Sequence, residues 1–268
     1  MLFHIKSYLK FLWHSKNEHA VHSPFVFNLI TKCFYDTKPK PGPSGSEQAK
    51  QYSILKNYRN SLLVNKTTIE VKDFGAGSKV FKSNTRQISQ IAKTAGISPK
   101  RAELLFRITN YFQPDTILEL GTSLGLATSA LALGNTNAKI ITLEGCPNTI
   151  AIAKNQLQLF NINNVELVVT EFTDYLQTCN LKSEIRNLIY FDGNHSKAAT
   201  LNYFELLLPT ITNDSVWIFD DIHWSSGMEE AWEIIKNHPK VTVTIDTFQW
   251  GIVFFRQEQP KEHFVIRT

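Results

Sequence analysis

The chain has 268 residues, 43% of them hydrophobic, with 18 Phe and 5 Trp. That is enough for a sizeable core in one large α/β domain, or in one domain with an appendage. A formal charge of +4 over this length lacks the strong basic bias of nucleic-acid binders, so no nucleic-acid partner is expected. Cys33, Cys146 and Cys179 are odd in number, far apart and not at metal-ligand spacing. They read as thiols of a reducing, cytoplasmic compartment.

The first segment, Met1 to Trp13, is apolar but broken by Lys6 and Lys10. It is too short for a membrane span and has the helical spacing of a packing helix. Apolar helical patterns cover about 2–14 and 23–35. The loop Asp36–Ser46 follows, with a proline and glycine density that argues against regular structure. Helical patterns resume at about 47–63, 84–95 and 99–112, with little strand signal between them. A glycine-rich stretch at Asp73–Ser78 has no acid-tipped strand after it and reads as a turn, one able to cover a ligand. Residues 1–99 are therefore expected to form a helical N-terminal cap.

From Asp115 the pattern changes to alternation. β-rich runs at Thr116–Leu120, Lys139–Glu144, Val165–Thr170, Asn187–Asp192 and Ser215–Asp221 are separated by helical stretches at Leu124–Leu133, Pro147–Phe160, Asp174–Cys179 and Lys197–Leu208. Such alternation predicts a parallel sheet with helical crossovers. After a helix at about 227–237, the runs Val241–Thr247 and Gly251–Arg256 are close enough to form an antiparallel hairpin at the sheet edge.

The most informative segment is Ile117-Leu-Glu-Leu-Gly-Thr-Ser-Leu-Gly125, a buried strand running through a glycine turn into a helix. Such a turn lets backbone N–H groups and a helix N-terminus approach a polar ligand. About twenty residues on, the second strand ends in Glu144, placed to accept hydrogen bonds from both hydroxyls of a ribose. Glu119 ends the first strand, where a dinucleotide would put phosphate. A carboxylate there repels pyrophosphate and suits a cation. S-adenosylmethionine carries a sulfonium and an α-ammonium and no phosphate, which favours it over NAD.

The fourth strand ends in Tyr190-Phe-Asp-Gly-Asn-His195 and the fifth in Trp217-Ile-Phe-Asp-Asp-Ile-His-Trp224. Ligands of parallel sheets bind outside the carboxyl ends of the strands, so Asp192, Asp220 and Asp221 should converge there. Three carboxylates at one rim repel unless a cation or a proton intervenes. A hard divalent ion with oxygen ligands, Mg2+, is the candidate metal. His195 is the candidate general base.

Glu119 to Gly125 with the Glu144 strand resembles motif I and the following acidic motif of class I S-adenosylmethionine-dependent methyltransferases. The resemblance covers roughly residues 100–257. It implies a Rossmann-like seven-stranded sheet ending in an antiparallel hairpin, in a domain from 100 to 268. By the same resemblance Glu119, Gly121, Thr122, Ser123 and Gly125 line the methionine end, Glu144 holds the ribose, and Glu171 and Phe172 lie near the adenine. The aspartates, with Trp224, resemble the metal-dependent O-methyltransferases of the catechol and caffeoyl-CoA type and the bacterial sugar and antibiotic enzymes. Those place an Asp after the fourth strand and an Asp-Asp or Asp-Asn pair after the fifth. There the metal would orient a small-molecule hydroxyl towards the sulfonium methyl. The chain departs from both patterns, having His195 where the catechol type has Lys and Asn194 where the sugar type has Asp, which leaves the acceptor unnamed.

Two other readings stand beside this one. Gly121-Thr-Ser-Leu-Gly125 matches the nucleophile elbow of serine hydrolases, with Ser123 as nucleophile, Asp192 or Asp220 as acid, and His223 or His238 as base. That elbow would fall on the first strand of the series, where such enzymes have strands and an oxyanion loop upstream. The other reading is a non-catalytic, methyltransferase-like binding protein. The hairpin edge and exposed aromatics would permit a homodimer.

Overall fold

A computed structural model describes residues 2–35, 43–72, 83–178 and 187–267. The Asp73–Ser78 turn and Cys179 lie outside them. The N-terminal region comprises α1 (Leu2–His14), α2 (Pro24–Leu29) continuing into a π-helical turn at Ile30–Phe34, and α3 (Pro43–Val64). Next come the short strands β1 (Thr68–Glu70) and β2 (Thr85–Gln87), then α4 (Ile88–Thr94) and α5 (Pro99–Phe112). Two expectations are corrected here. Residues 43–46 are helical, because proline is tolerated in the first turn of a helix, where its missing N–H has no intrahelical partner. Residues 85–87 pair antiparallel with 68–70 where helix was expected, and α4 starts only at Ile88.

The alternating region forms β3 (Thr116–Leu120), α6 (Leu126–Gly134), β4 (Lys139–Glu144), α7 (Pro147–Leu159), β5 (Val165–Val169), α8 (Phe172–Thr178), β6 (Leu188–Phe191) and α9 (Lys197–Leu207). It ends with β7 (Val216–Asp220), α10 (Ser226–Asn237), β8 (Val243–Asp246), β9 (Trp250–Phe254) and β10 (Glu262–Val265). The sheet order is β10-β8-β9-β7-β6-β3-β4-β5, with β3 to β7 mutually parallel and β9 antiparallel to β7 and β8. The expected hairpin is present. It is not the sheet edge, however: an eighth strand, β10, lies parallel to β8 and covers it. The sheet edge proposed for dimer contact is thus already paired.

Alternation along the strands divides the core. Ile117, Ile140, Leu188, Tyr190 and Ile218 face a layer that includes Leu29 of α2, Tyr58 of α3, Leu105 of α5 and Leu131 of α6. Leu118, Leu120, Ile141, Phe191, Trp217 and Phe219 face α9 and α10 through Phe204, Leu207, Trp232 and Ile235. The N-terminal helices therefore build half of the sheet's covering and share its core. Burial of these apolar side chains, at about 25 cal/mol per Å2, is the main driving force for holding them there. Among the described residues no helix is long and apolar enough to cross a membrane.

Candidate active site

The chain leaves β3 towards β4 and β5 on one side, then returns to β6 and β7 on the other. The strand order thus reverses between β3 and β6, where α/β sheets open a ligand crevice. Two close approaches shape it. Gly121 has φ +110°, and a Cβ there would lie 2.1 Å from the Asp192 carbonyl oxygen. Gly125 has φ +78°, and its Cβ would lie 2.4 Å from the Tyr58 hydroxyl, which itself donates to the Leu124 carbonyl at 3.0 Å. Neither position tolerates a side chain. Ser123, Asn194 and Asp221, in the loops after β3, β6 and β7, hold positive φ of 47°, 48° and 54°. Left-handed non-glycine residues carry strain, and such strain clusters at functional sites.

A cleft of about 290 Å3 opens over this point, lined by Gly121, Ser123, Glu144, Glu171, Phe172 and Asp192 among others. Glu144 is fixed by backbone amides: Oε2 accepts from Ser123 N at 2.8 Å and Oε1 from Cys146 N at 2.9 Å. Glu171 and Phe172 stand on the same wall, and the Phe172 ring packs against the Gly193 backbone and edge-on to Tyr203 at 5.7 Å. Thr122 turns inward, its hydroxyl 2.6 Å from that of Thr142.

Glu119 lies beneath this loop. It is fully buried, and Oε2 accepts from Thr128 Oγ1 at 2.5 Å and Thr142 Oγ1 at 2.6 Å. Oε1 has no partner among the described residues. Burial pushes the carboxyl up to about 7, against the lowering effect of the two threonine hydroxyls.

The expected aspartates do converge, and what meets them was not foreseen. Arg101, in the first turn of α5, places Nη1 3.0 Å from Asp220 Oδ1. Asp220 and Asp221 lie close enough to Asp192 for their charges to act on its carboxyl. Burial, then the charges of Asp220 and Asp221, raise the Asp192 carboxyl well above its ordinary range. His195 Nε2 stands 3.7 Å from Asp192 Oδ1. The guanidinium relieves the repulsion at this rim, and that cation belongs to the protein. The three aspartates therefore do not fit a divalent ion: a guanidinium already occupies one of its intended ligands. Among the described residues no cluster of His, Cys, Asp and Glu forms a metal-ligand set.

The hydrolase constellation does not assemble. His223 lies with Nδ1 2.7 Å from Glu229 and Nε2 3.0 Å from Asp246, stacked on Phe248. The ring of His238 meets Phe204, and its Nδ1 accepts from Lys240 N. Ser123 instead offers its amide to Glu144.

Sequence reasoning missed Arg101, Tyr58 and the wall that Val71, Ile91 and Ala95 of the N-terminal region contribute to the cleft. It also missed that α1 reaches the loops beside the aspartates, where His4 meets Trp224 edge-on at 5.7 Å, and Trp224 lies 6.5 Å from His195.

Residues 118–222 match a family model described as a methyltransferase domain. Three solved structures share the fold. An SAH-bound methyltransferase from Podospora anserina is 13% identical, with 88% of this chain and 97% of that one covered at a TM-score of 0.56. An O-methyltransferase from Bacillus cereus in complex with SAH is 18% identical, with 84% and 96% covered at 0.53. An O-methyltransferase from Streptomyces achromogenes involved in tomaymycin synthesis, in complex with SAM, is 13% identical, with 84% and 96% covered at 0.54. Residues 118–222 thus match a methyltransferase domain, and the chain shares the fold of these methyltransferases.

Proposed function

We propose that the protein transfers the methyl group of S-adenosylmethionine to a hydroxyl oxygen of a small molecule. The observation that carries this reading is Glu144, held by two backbone amides at the mouth of the cleft. A carboxylate can accept about four hydrogen bonds, and one oriented in advance suits the vicinal diol of a ribose. Gly121 lets the backbone come close to the methionine end, while Glu171 and Phe172 offer an edge and a face to the adenine. The neighbours in fold that hold SAM or SAH support the same cofactor.

The acceptor would enter between the cleft and the loops under α1, beside His195 and Trp224. The hydroxyl oxygen attacks the sulfonium methyl, the new C–O bond forms as the C–S bond breaks, and the hydroxyl proton passes to His195. Asp192, 3.7 Å away, orients that imidazole. Alignment of the two reactants supplies most of the rate. Mg2+ was the expected assistant here; no step is assigned to it, since Arg101 occupies Asp220. A cytoplasmic setting is supported by the burial of Cys33 and Cys146 away from solvent.

The test is calorimetric titration of S-adenosylmethionine into the purified protein and into Glu144→Ala. Wild type should bind in the micromolar range, and the variant about a hundredfold more weakly, because a hydrogen bond to a charged group is worth roughly 1.5–3 kcal/mol. A folded, cofactor-free wild type giving no heat at millimolar ligand would overturn the proposal.

A further inference from the structure

A rim of three carboxylates with one guanidinium is an electrostatic unit of its own. We infer that Arg101 is the resident cation of this methyltransferase: it stands in the place of a divalent metal and positions Asp192, Asp220 and Asp221 without one. The inference deepens the methyl-transfer reading and rests on it.

Four observations carry it. Arg101 Nη1 bonds Asp220 Oδ1 at 3.0 Å, and both side chains are withdrawn from solvent, that of Asp220 to 7% exposure. In that setting a charge-assisted hydrogen bond is strong, and leaving either partner alone would be costly. The positive charge of the guanidinium also acts at longer range on Asp221 and Asp192, so its field reaches the whole set. Its backbone is fixed, since the Arg101 amide donates to the Ser98 cap at 3.4 Å and the following Ala102, Leu104 and Leu105 are buried in the shared core. Finally, Asp192 shares this rim with Asp220 and faces His195, whose Nε2 stands 3.7 Å from its Oδ1. A divalent ion entering this rim would have to displace an arginine anchored in a packed helix, against the repulsion of like charges. Arg101 is thus a positioning residue. It orders the carboxylates that hold the base, and contact with the reacting atoms is not required of it.

Mn2+ titration followed by electron paramagnetic resonance tests this separately from cofactor binding or turnover. Wild-type protein should leave Mn2+ free up to about 1 mM, far weaker than dedicated carboxylate sites. Arg101→Met should gain Mn2+ affinity by at least about tenfold, because an uncompensated carboxylate cluster recruits a cation. Adding Asp192→Asn should remove the gain. Arg101→Lys, which keeps the charge, should show no gain.

Wild-type protein that binds Mn2+ below about 100 µM, with loss of binding in Asp220→Asn, would overturn the inference. So would a folded Arg101→Met that gains nothing. Should Arg101→Met not fold, the wild-type and Asp220→Asn titrations decide the matter alone. Absence of S-adenosylmethionine binding would refute the cofactor reading and leave these metal titrations interpretable.

Discussion

The two sides of the cleft satisfy their carboxylates over very different distances along the chain. At the tips of β3 and β4, Glu144 is held by amides 2 and 21 residues away. At the tips of β6 and β7, Asp220 is held by Arg101, 119 residues away on a helix that precedes the sheet. The following His223 is clasped by Glu229 of α10 and Asp246 of β8. One side is a local motif that any chain folding this strand-turn-helix would reproduce. The other is an assembly of side chains that exists only once the N-terminal region and the hairpin have docked. The side proposed for the cofactor can therefore stay constant while the side proposed for the acceptor changes with whatever is packed upon it.

The sharpest way to break that contrast is to attack the point where the two sides meet. Gly121→Ala puts a methyl group against the Asp192 carbonyl in a left-handed backbone. Both partners are main chain, so neither can step aside. A loss of about 3–5 kcal/mol in urea unfolding is expected. A loss below about 1 kcal/mol would mean that the sides are not clamped together.

Glu119→Gln probes the layer beneath the local side. The folded carboxyl lies at about 7, above the roughly 4.3 of an unfolded glutamic acid. The folded state thus holds the proton more tightly. Its contribution is complete below about pH 4.3 and is lost as pH rises through 7. Glutamine mimics the protonated form, so it should leave stability unchanged at pH 4 and raise it by on the order of 3 kcal/mol at pH 9. Denaturant unfolding at the two pH values gives the answer, and equal effects at both would deny the burial argument.

His223→Gln asks about the distant side and should have the smallest effect. Burial opposes the imidazolium, but hydrogen bonds and charge from Asp246, then Glu229, outweigh it and raise the group. The stabilisation is full below the unfolded value of about 6.5 and fades as pH climbs past the folded one. The variant should therefore melt lower than wild type at pH 6, by an amount corresponding to about 1 kcal/mol, and nearly together with it at pH 9. A gap that widens with pH would reverse the assignment.

What could be read from the chain follows the same division. Five parallel strands, the hairpin and the Gly121 turn were legible because each is a short-range pattern of alternating burial and turn chemistry. The position of Glu144 at a strand tip was legible for the same reason. Convergence of Asp192, Asp220 and Asp221 also followed, since the carboxyl ends of parallel strands share a rim. The nature of their cation did not, because nothing in Ser98-Pro-Lys-Arg101 distinguishes a helix-surface arginine from a buried one. The strands β1 and β2, three residues each, are too short to show a period. β10 was missed because Glu262-His-Phe-Val265 alternates too briefly to stand out, although it finds a ready-made edge to pair with.

That last strand has a mechanical consequence. Beside β10, the Lys16 amide just after α1 donates to the Val265 carbonyl at 2.8 Å, and Lys16 bridges Ile266 in parallel. The two far parts of the chain are thus latched across one sheet margin. Fraying of α1 would uncover the outer edge of β10 at Val265, a bare edge to which other chains could add. Hydrogen exchange at Lys16 should then be as slow as at the β8 amides, and faster exchange there would mark the first step of aggregation.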